Sequence, residues 1–208
     1  MNARVLPPPR VHAQVFEEPG VASSPLALHG AADRCVELFS FAKSYQLGGF
    51  RLGFALGNAQ AIASLEAVKA PIDFHQYLGI QRAGVACLQL PHTRTRAYAE
   101  VWRRRAQALA PLLQQHGFKL PTPAACMYLW CALPAGLGVD DVQFCHQLVA
   151  ATGIALSPGH GFGPGGHGYV RVALVQPEEQ LRQAAEAIGQ FVQQLRAQHS
   201  SAVNGCAA

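Results

Sequence analysis

With 208 residues, half of them hydrophobic and 13% charged, the chain is long enough for one large domain or two small ones with real cores, which excludes a disordered protein. The formal net charge of +4 is dispersed except at Arg94, Arg96 and Arg103 to Arg105, a cluster on a helical pattern that reads as a solvated face, so nucleic acid is not an expected partner. No apolar run reaches membrane-span length, the start MNARVLPPPR lacks the apolar core of a secretory leader, and the cysteines at 35, 87, 126, 131, 145 and 206 form no C-x-x-C pair, which together predict a soluble protein of the reducing cytoplasm.

The first 30 residues are rich in proline and small residues and predict extended or loop structure. CVELFSF, from Cys35, and RLGFALG, from Arg51, read as two short strands. Asn58 caps a predicted helix through AQAIASLEAVKA, which Pro71 is expected to stop, and a second helix is expected over residues 76–90. After Pro91 comes a long helix opened by Thr93, with Tyr98, Val101, Trp102, Leu109, Leu112 and Leu113 on one stripe and Gly117 at its end. Then follow a strand in CMYLWCAL, a helix in DDVQFCHQLVAAT, a short strand in GIALS, a glycine-rich loop and a strand in GYVRVALV. The last helix starts at Pro177, carries Glu178 and Glu179 in its first turn, and lines up Leu181, Ala184, Ala185, Ile188, Phe191, Val192 and Leu195. Strands alternating with helices predict α/β layers.

Chemistry enters at FSFAKSYQLGGFRLGFALG, residues 39–57. Lysine is scarce, with only Lys43, Lys69 and Lys119 among the 16 basic residues. A lysine amine acts as a Schiff-base nucleophile when its surroundings keep part of it neutral. An aldehyde cofactor that carries a phosphate also needs an anion site of hydroxyls, backbone N–H groups and a fixed guanidinium. Lys43 is the candidate nucleophile, and Ser40, the loop at Gly48 and Gly49, and Arg51 are the candidates for the anion site.

The string resembles the lysine signature of the class I/II, fold-type I, pyridoxal-phosphate-dependent aminotransferases, with a serine three before the lysine and an arginine eight after it. The resemblance implies an α/β fold-type I architecture: an irregular segment over 1–34, part of the large cofactor-binding domain with an incomplete sheet over 35–92, the small α+β domain over 93–199, and a disordered tail over 200–208. It implies that Lys43 forms the internal aldimine with pyridoxal 5'-phosphate, and that Ser40 and Arg51 hold the phosphate. Ala42 stands where many relatives carry a second hydroxyl. PTPAACMYLWCALP and ALSPGHGFGPGGHGYVRVALV extend the resemblance, which there implies that Arg171 binds the substrate α-carboxylate, a role that suits a planar guanidinium fork. The implied partners are an amino acid and a 2-oxo acid, and the implied assembly is a homodimer.

GFGPGG, residues 161–166, also satisfies G-x-G-x-x-G, but that fingerprint needs a following helix and HGYVRVAL predicts a strand. His160 and His167 bracket the loop without a third ligand at metal-site spacing, so no metal is expected. His75 and Gln76 are candidates for the substrate side or for helix capping and packing.

The resemblance covers only the second half of the family's length, roughly from Glu17 to the last helix. The other half supplies a glycine phosphate turn, a ring stacked on the cofactor, an asparagine, and a D-x-x-Y element whose aspartate keeps the pyridine nitrogen protonated. No aspartate precedes Asp33 and no tyrosine precedes Tyr45. The expectation is therefore a truncated aminotransferase-like chain whose parallel sheet exposes an edge and an apolar face. A non-catalytic remnant or binding fragment, and a lyase or acyltransferase of the same fold, stay open.

Overall fold

The computed structural model describes residues 4–5, 16 and 24–205, and the chain divides into two compact units, Met1–Glu100 and Val101–Ala208. Most of the predicted irregular segment 1–34, and residues 206–208 of the predicted tail, lie outside the described residues.

In the first unit, strands β1 (Arg4–Val5), β2 (Cys35–Ser40) and β3 (Gly53–Gly57) form one sheet in that order, β1 parallel and β3 antiparallel to β2. The two strands flanking the lysine thus pair with each other, and they do so antiparallel, so the sheet is mixed where a parallel one is expected from the sequence. The connection between them, residues 41–52, holds one helical turn and one 3-10 turn and no full crossover helix, which suits an antiparallel pair. Phe39 stands opposite Phe54 and Ser40 opposite Gly53, with the Phe39 and Phe54 rings stacked at 4.7 Å. Glycine at 53 is a steric requirement, because a Cβ there would lie 2.6 Å from the Phe39 carbonyl oxygen.

Four helices follow β2: the single turn α1 (Phe41–Ser44), α2 (Ala59–Asp73), α3 (Leu78–Leu88) and the long α4 (His92–Gln115), inside which the two units divide. Asn58 caps α2 as the sequence predicts, its Oδ1 accepting the Ala61 N–H at 2.8 Å. Pro71 does not stop that helix. It sits close enough to the end that its missing N–H and its ring disturb only the last turn, and the chain breaks at Phe74, whose φ is +54°.

In the second unit, β4 (Tyr128–Ala132), β5 (Ser157–Pro158) and β6 (Tyr169–Ala173) form an antiparallel sheet in the order β4-β6-β5. Helices α5 (Asp141–Thr152) and α6 (Glu178–Gly205) complete it. The strand predicted in GIALS shrinks to β5 because the residues before it finish α5: Gly153 takes φ +74° and the Ile154 N–H bonds Thr152 Oγ1 at 3.2 Å. The helix α6 runs through Gly205, past the predicted start of the tail at 200. Ser201 Oγ bonds the Ala197 carbonyl at 2.9 Å, which satisfies the hydroxyl inside the helix.

Alternation on the strands and stripes on the helices meet in one core of the second unit. Leu129 and Cys131 of β4, Val170 and Val172 of β6, Phe144 and Leu148 of α5, and Ile188, Phe191 and Val192 of α6 are all buried. Phe144 touches the rings of Phe118 and Phe191 at 6.1 and 5.5 Å. Burial pushes the thiol of Cys131 up to about 12, and burial with the nearby Asp141 charge pushes Cys145 up to about 11. In the folded protein at mildly alkaline pH, iodoacetamide should therefore label the half-buried Cys35, Cys87 and Cys126 well before Cys131 and Cys145, as peptide mass mapping would read.

Candidate functional site

The lysine turn is built around Phe41, which is buried while Lys43, two residues on, faces solvent. Its ring meets Tyr45 at 5.4 Å and Phe54 at 5.5 Å. Its N–H bonds the Leu52 carbonyl at 3.2 Å, and its own carbonyl accepts the Leu47 N–H at 3.2 Å. Burial, then the neighbouring Cys87, raises the Tyr45 hydroxyl above its ordinary pKa, so it stays protonated behind the turn. One aromatic anchor thus fixes both ends of a single helical turn that is far too short to hold itself.

Ser40 ends β2 and caps α1, its Oγ accepting the Ala42 N–H at 3.2 Å. The hydroxyl proton and a lone pair are left for other partners. Arg51 closes the loop from a left-handed conformation, φ +52°, and one Nη donates to the Gly48 carbonyl at 2.9 Å. Most of its N–H donors are not used by that bond. A Cβ on Gly48 or Gly49 would meet nothing within 4 Å, so the loop borders open space. The turn and its loop thus carry an exposed lysine, a hydroxyl and a guanidinium, the kinds of group that a small phosphate-bearing aldehyde would need. The amine can capture carbonyl carbon, and the other two can hold an anion through charge-assisted hydrogen bonds.

Arg171 belongs to the second unit, at the centre of its sheet. Its strand neighbours are Trp130 on β4 and Ser157 on β5, and period-2 alternation turns it away from the core that Val170 and Val172 enter. The guanidinium carbon lies 4.5 Å from the Tyr128 ring centre and 4.8 Å from that of Phe162. Trp130 stacks on Tyr169 at 5.5 Å and meets the Phe162 edge at 5.3 Å. One Nη donates to Ser157 Oγ at 3.1 Å, while Nε is buried with no hydrogen-bond partner among the described residues. A buried donor left unmade costs about 1–3 kcal/mol, and a carboxylate is the acceptor that this fork fits best. Phe162→Ala should weaken the cage by about 1 kcal/mol and shift the Trp130 emission, measured by urea unfolding and by fluorescence.

The loop that carries Phe162 hangs on a residue the sequence did not single out. Asp141 is 1% exposed, and its two carboxylate oxygens accept the backbone N–H of His160 at 2.8 Å and of Gly168 at 3.1 Å. Burial alone would raise its pKa. The N–H groups of His160, Gly168 and Asp141 itself, with the charge of His167, outweigh burial and hold the carboxyl below its ordinary value. The doubled aspartate at the helix start was the available signal, because Asp140 alone completes the capping box with Gln143 and leaves Asp141 unexplained.

His160 and His167 face each other across the loop, Nδ1 to Nδ1 at 3.3 Å, and no group of three or more metal-binding side chains occurs among the described residues. The G-x-G-x-x-G stretch leads into β6, a strand. His75 is exposed, and the Gln76 carbonyl accepts Gln81 Nε2 at 2.7 Å, a helix-entry contact. None of the described helices is long and apolar enough to cross a membrane.

Residues 12–188 match the sequence profile of the family Aminotransferase class I and II. The LL-diaminopimelate aminotransferase of Aquifex aeolicus is 33% identical over 177 residues, 85% of this chain and 45% of that protein. The glutamate-pyruvate aminotransferase of Escherichia coli is 32% identical over 180 residues, 85% of this chain and 43% of that protein. Among solved structures, a probable N-succinyldiaminopimelate aminotransferase from Thermus thermophilus superposes with a TM-score of 0.81 at 53% identity, covering 87% of this chain and 48% of that one. The chain spans about half the length of the curated relatives it matches.

Proposed function

Because the chain belongs to the class I and II aminotransferase family and has the fold-type I architecture over about half the length of its relatives, we propose that it is an aminotransferase-like protein in which Lys43 takes up pyridoxal phosphate covalently. Its substrates in this reading are an amino acid and a 2-oxo acid, in the cytoplasm and as a homodimer once the site is complete. The domain reading stays as proposed: a part of the cofactor-binding domain around Lys43, then the small domain that carries Arg171.

The observation that carries this reading is the lysine turn, where a buried phenylalanine presents an exposed amine between a capping serine and a fixed arginine. When bound, pyridoxal phosphate supplies an aldehyde and an electron-withdrawing ring. The chain's own residues supply the rest. Lys43 Nζ would hold the aldehyde carbon, the carbonyl oxygen leaving as water, and when free of it would hold and move a proton. Ser40 Oγ and the Arg51 guanidinium grip the phosphate by charge-assisted hydrogen bonds. Within the second unit, Arg171 offers its fork to a carboxylate, stiffened by Tyr128 and Phe162 so that little freedom is lost on binding.

The test is to incubate the full chain with pyridoxal phosphate, reduce with borohydride and map the adduct by peptide mass spectrometry. The expected adduct lies on Lys43 and is lost in Lys43→Ala. Arg51→Ala should weaken uptake by about tenfold to a hundredfold, the worth of one charge-assisted contact. No adduct, or equal labelling of Lys43, Lys69 and Lys119, would overturn the proposal.

A further inference from the structure

The loop between β5 and β6 brings together two side chains that neither Lys43 nor Arg171 uses. His160 and His167 are both exposed, their ring centres lie 4.5 Å apart with the planes at 76°, and Nδ1 faces Nδ1 at 3.3 Å. That separation is long for a hydrogen bond, in which an N–H donor ordinarily sits about 2.7–3.2 Å from its acceptor. It matches instead two ligands on one metal ion: nitrogens bound about 2.0–2.1 Å from a tetrahedral zinc stand about 3.3–3.4 Å apart. The backbone fixes this spacing. His160 lies in the 3-10 turn Gly159–Phe162, and His167 directly follows the 3-10 turn Pro164–Gly166. A glycine precedes each histidine, and there the two limbs of the loop touch, because a Cβ on Gly159 or on Gly166 would run into the carbonyl oxygen of the other. The buried Asp141 ties the same limbs together by accepting the N–H groups of His160 and Gly168 at 2.8 and 3.1 Å. Its charge interacts with His167, so a buried carboxylate backs the pair and favours a cation there.

We propose that His160 and His167 form a two-histidine site for a borderline divalent cation such as Zn2+, held through both Nδ1 atoms with water in the remaining positions. Both rings then keep their proton on Nε2. Imidazole nitrogen suits zinc, copper and nickel, whereas magnesium and calcium take oxygen ligands. No group of three or more metal-binding side chains occurs among the described residues, so the ion has fewer protein ligands than the three of a catalytic zinc centre or the four of a structural one. It is therefore exchangeable and open to a further ligand. The expectation of no metal followed from the missing third ligand, and sequence spacing does not encode the contact between Gly159 and Gly166 that sets the two rings face to face. An ion that ties the two limbs also steadies Phe162, which lies between the histidines in the chain and whose ring centre is 4.8 Å from the Arg171 guanidinium carbon and 5.3 Å from that of Trp130. The proposal rests neither on cofactor uptake by Lys43 nor on carboxylate binding by Arg171.

The experiment titrates the full chain, kept reduced and free of metal, with Zn2+ and separately with Mg2+ in a calorimeter. The expected result is one equivalent of Zn2+ bound, with an affinity that falls at least about tenfold, or about 1.4 kcal/mol, in His160→Ala and likewise in His167→Ala. Mg2+ should give no binding heat. His75→Ala, exposed and on the first unit, should bind Zn2+ as the parent does. Zn2+ should also raise the urea midpoint of the tryptophan signal, which reports the second unit, in the parent and in neither loop variant. Both histidines are exposed, so both variants should keep the parent circular dichroism. No zinc binding, binding unchanged by the loop substitutions, an equal loss in His75→Ala, or Mg2+ bound as tightly as Zn2+ overturns the proposal. A loss in only one of the two loop variants also overturns it, because a single imidazole with some other partner would then hold the ion. The readouts are binding heat and unfolding, so failure of the lysine adduct leaves this result standing, and the reverse.

Discussion

Gly57→Ala should destabilise the first unit by about 3 kcal/mol or more, a large part of the roughly 5–15 kcal/mol that holds a small domain folded. Gly57 has φ +143°, and a Cβ there would lie 2.0 Å from the Cys35 carbonyl oxygen and 2.8 Å from the Val36 Cα. Both obstacles are backbone, so no side chain can swing aside. Gly57 pairs with Val36, and the next residue, Asn58, donates its N–H to the same Cys35 carbonyl at 2.9 Å. Relief must therefore come from parting β2 and β3, the strands that carry the lysine turn. The two tryptophans, Trp102 and Trp130, both lie in the second unit. Far-ultraviolet circular dichroism should show an early transition while tryptophan fluorescence unfolds as in the parent, and the Lys43 adduct should be lost. A single unshifted transition in both signals would sink the prediction.

The parts of this fold legible in sequence are those set by local chemistry. Asn58 as a cap, Gly117 beyond α4 and the acidic first turn of α6 follow from which backbone groups a helix end leaves unpaired. The stripe through Leu181, Ile188 and Leu195 follows from the helical period. The lysine signature was legible because its spacing maps onto one strand, one turn and one strand. What was not legible depends on distant partners. Whether β2 and β3 run parallel or antiparallel is settled by the loop and by rings stacking across the pair, which a period of two does not encode. Asp141 was not singled out, because the two N–H groups that claim it, on His160 and Gly168, are remote in sequence. The aromatic cage of Arg171 has the same origin: Tyr128 lies on β4 and Phe162 in a loop, and only the sheet register brings them to one guanidinium.

Register and loop meet in Asp141, and its replacement is the second large effect. Asp141→Asn keeps the shape of the side chain and removes its charge. It leaves one N–H, that of His160 or of Gly168, facing an amide NH2 group in a buried site. The expected loss is about 2–4 kcal/mol of second-unit stability at neutral pH. The pH dependence has a definite sign. The folded carboxyl titrates below its ordinary value of 3.8, so its contribution is complete above that value and disappears as the pH falls through the lower, folded pKa. Urea unfolding followed by tryptophan fluorescence should show parent and Asp141→Asn separated by a constant gap from neutral pH down to the ordinary carboxyl range. Below it the gap should narrow as the parent protonates, since the asparagine has no proton to take up. The Trp130 emission of the variant should move as well, because the freed loop carries Phe162, whose ring meets that indole at 5.3 Å. A gap that persists unchanged into acid would mean that the variant suffers from altered packing and that the charge-assisted bonds to His160 and Gly168 do not hold the loop.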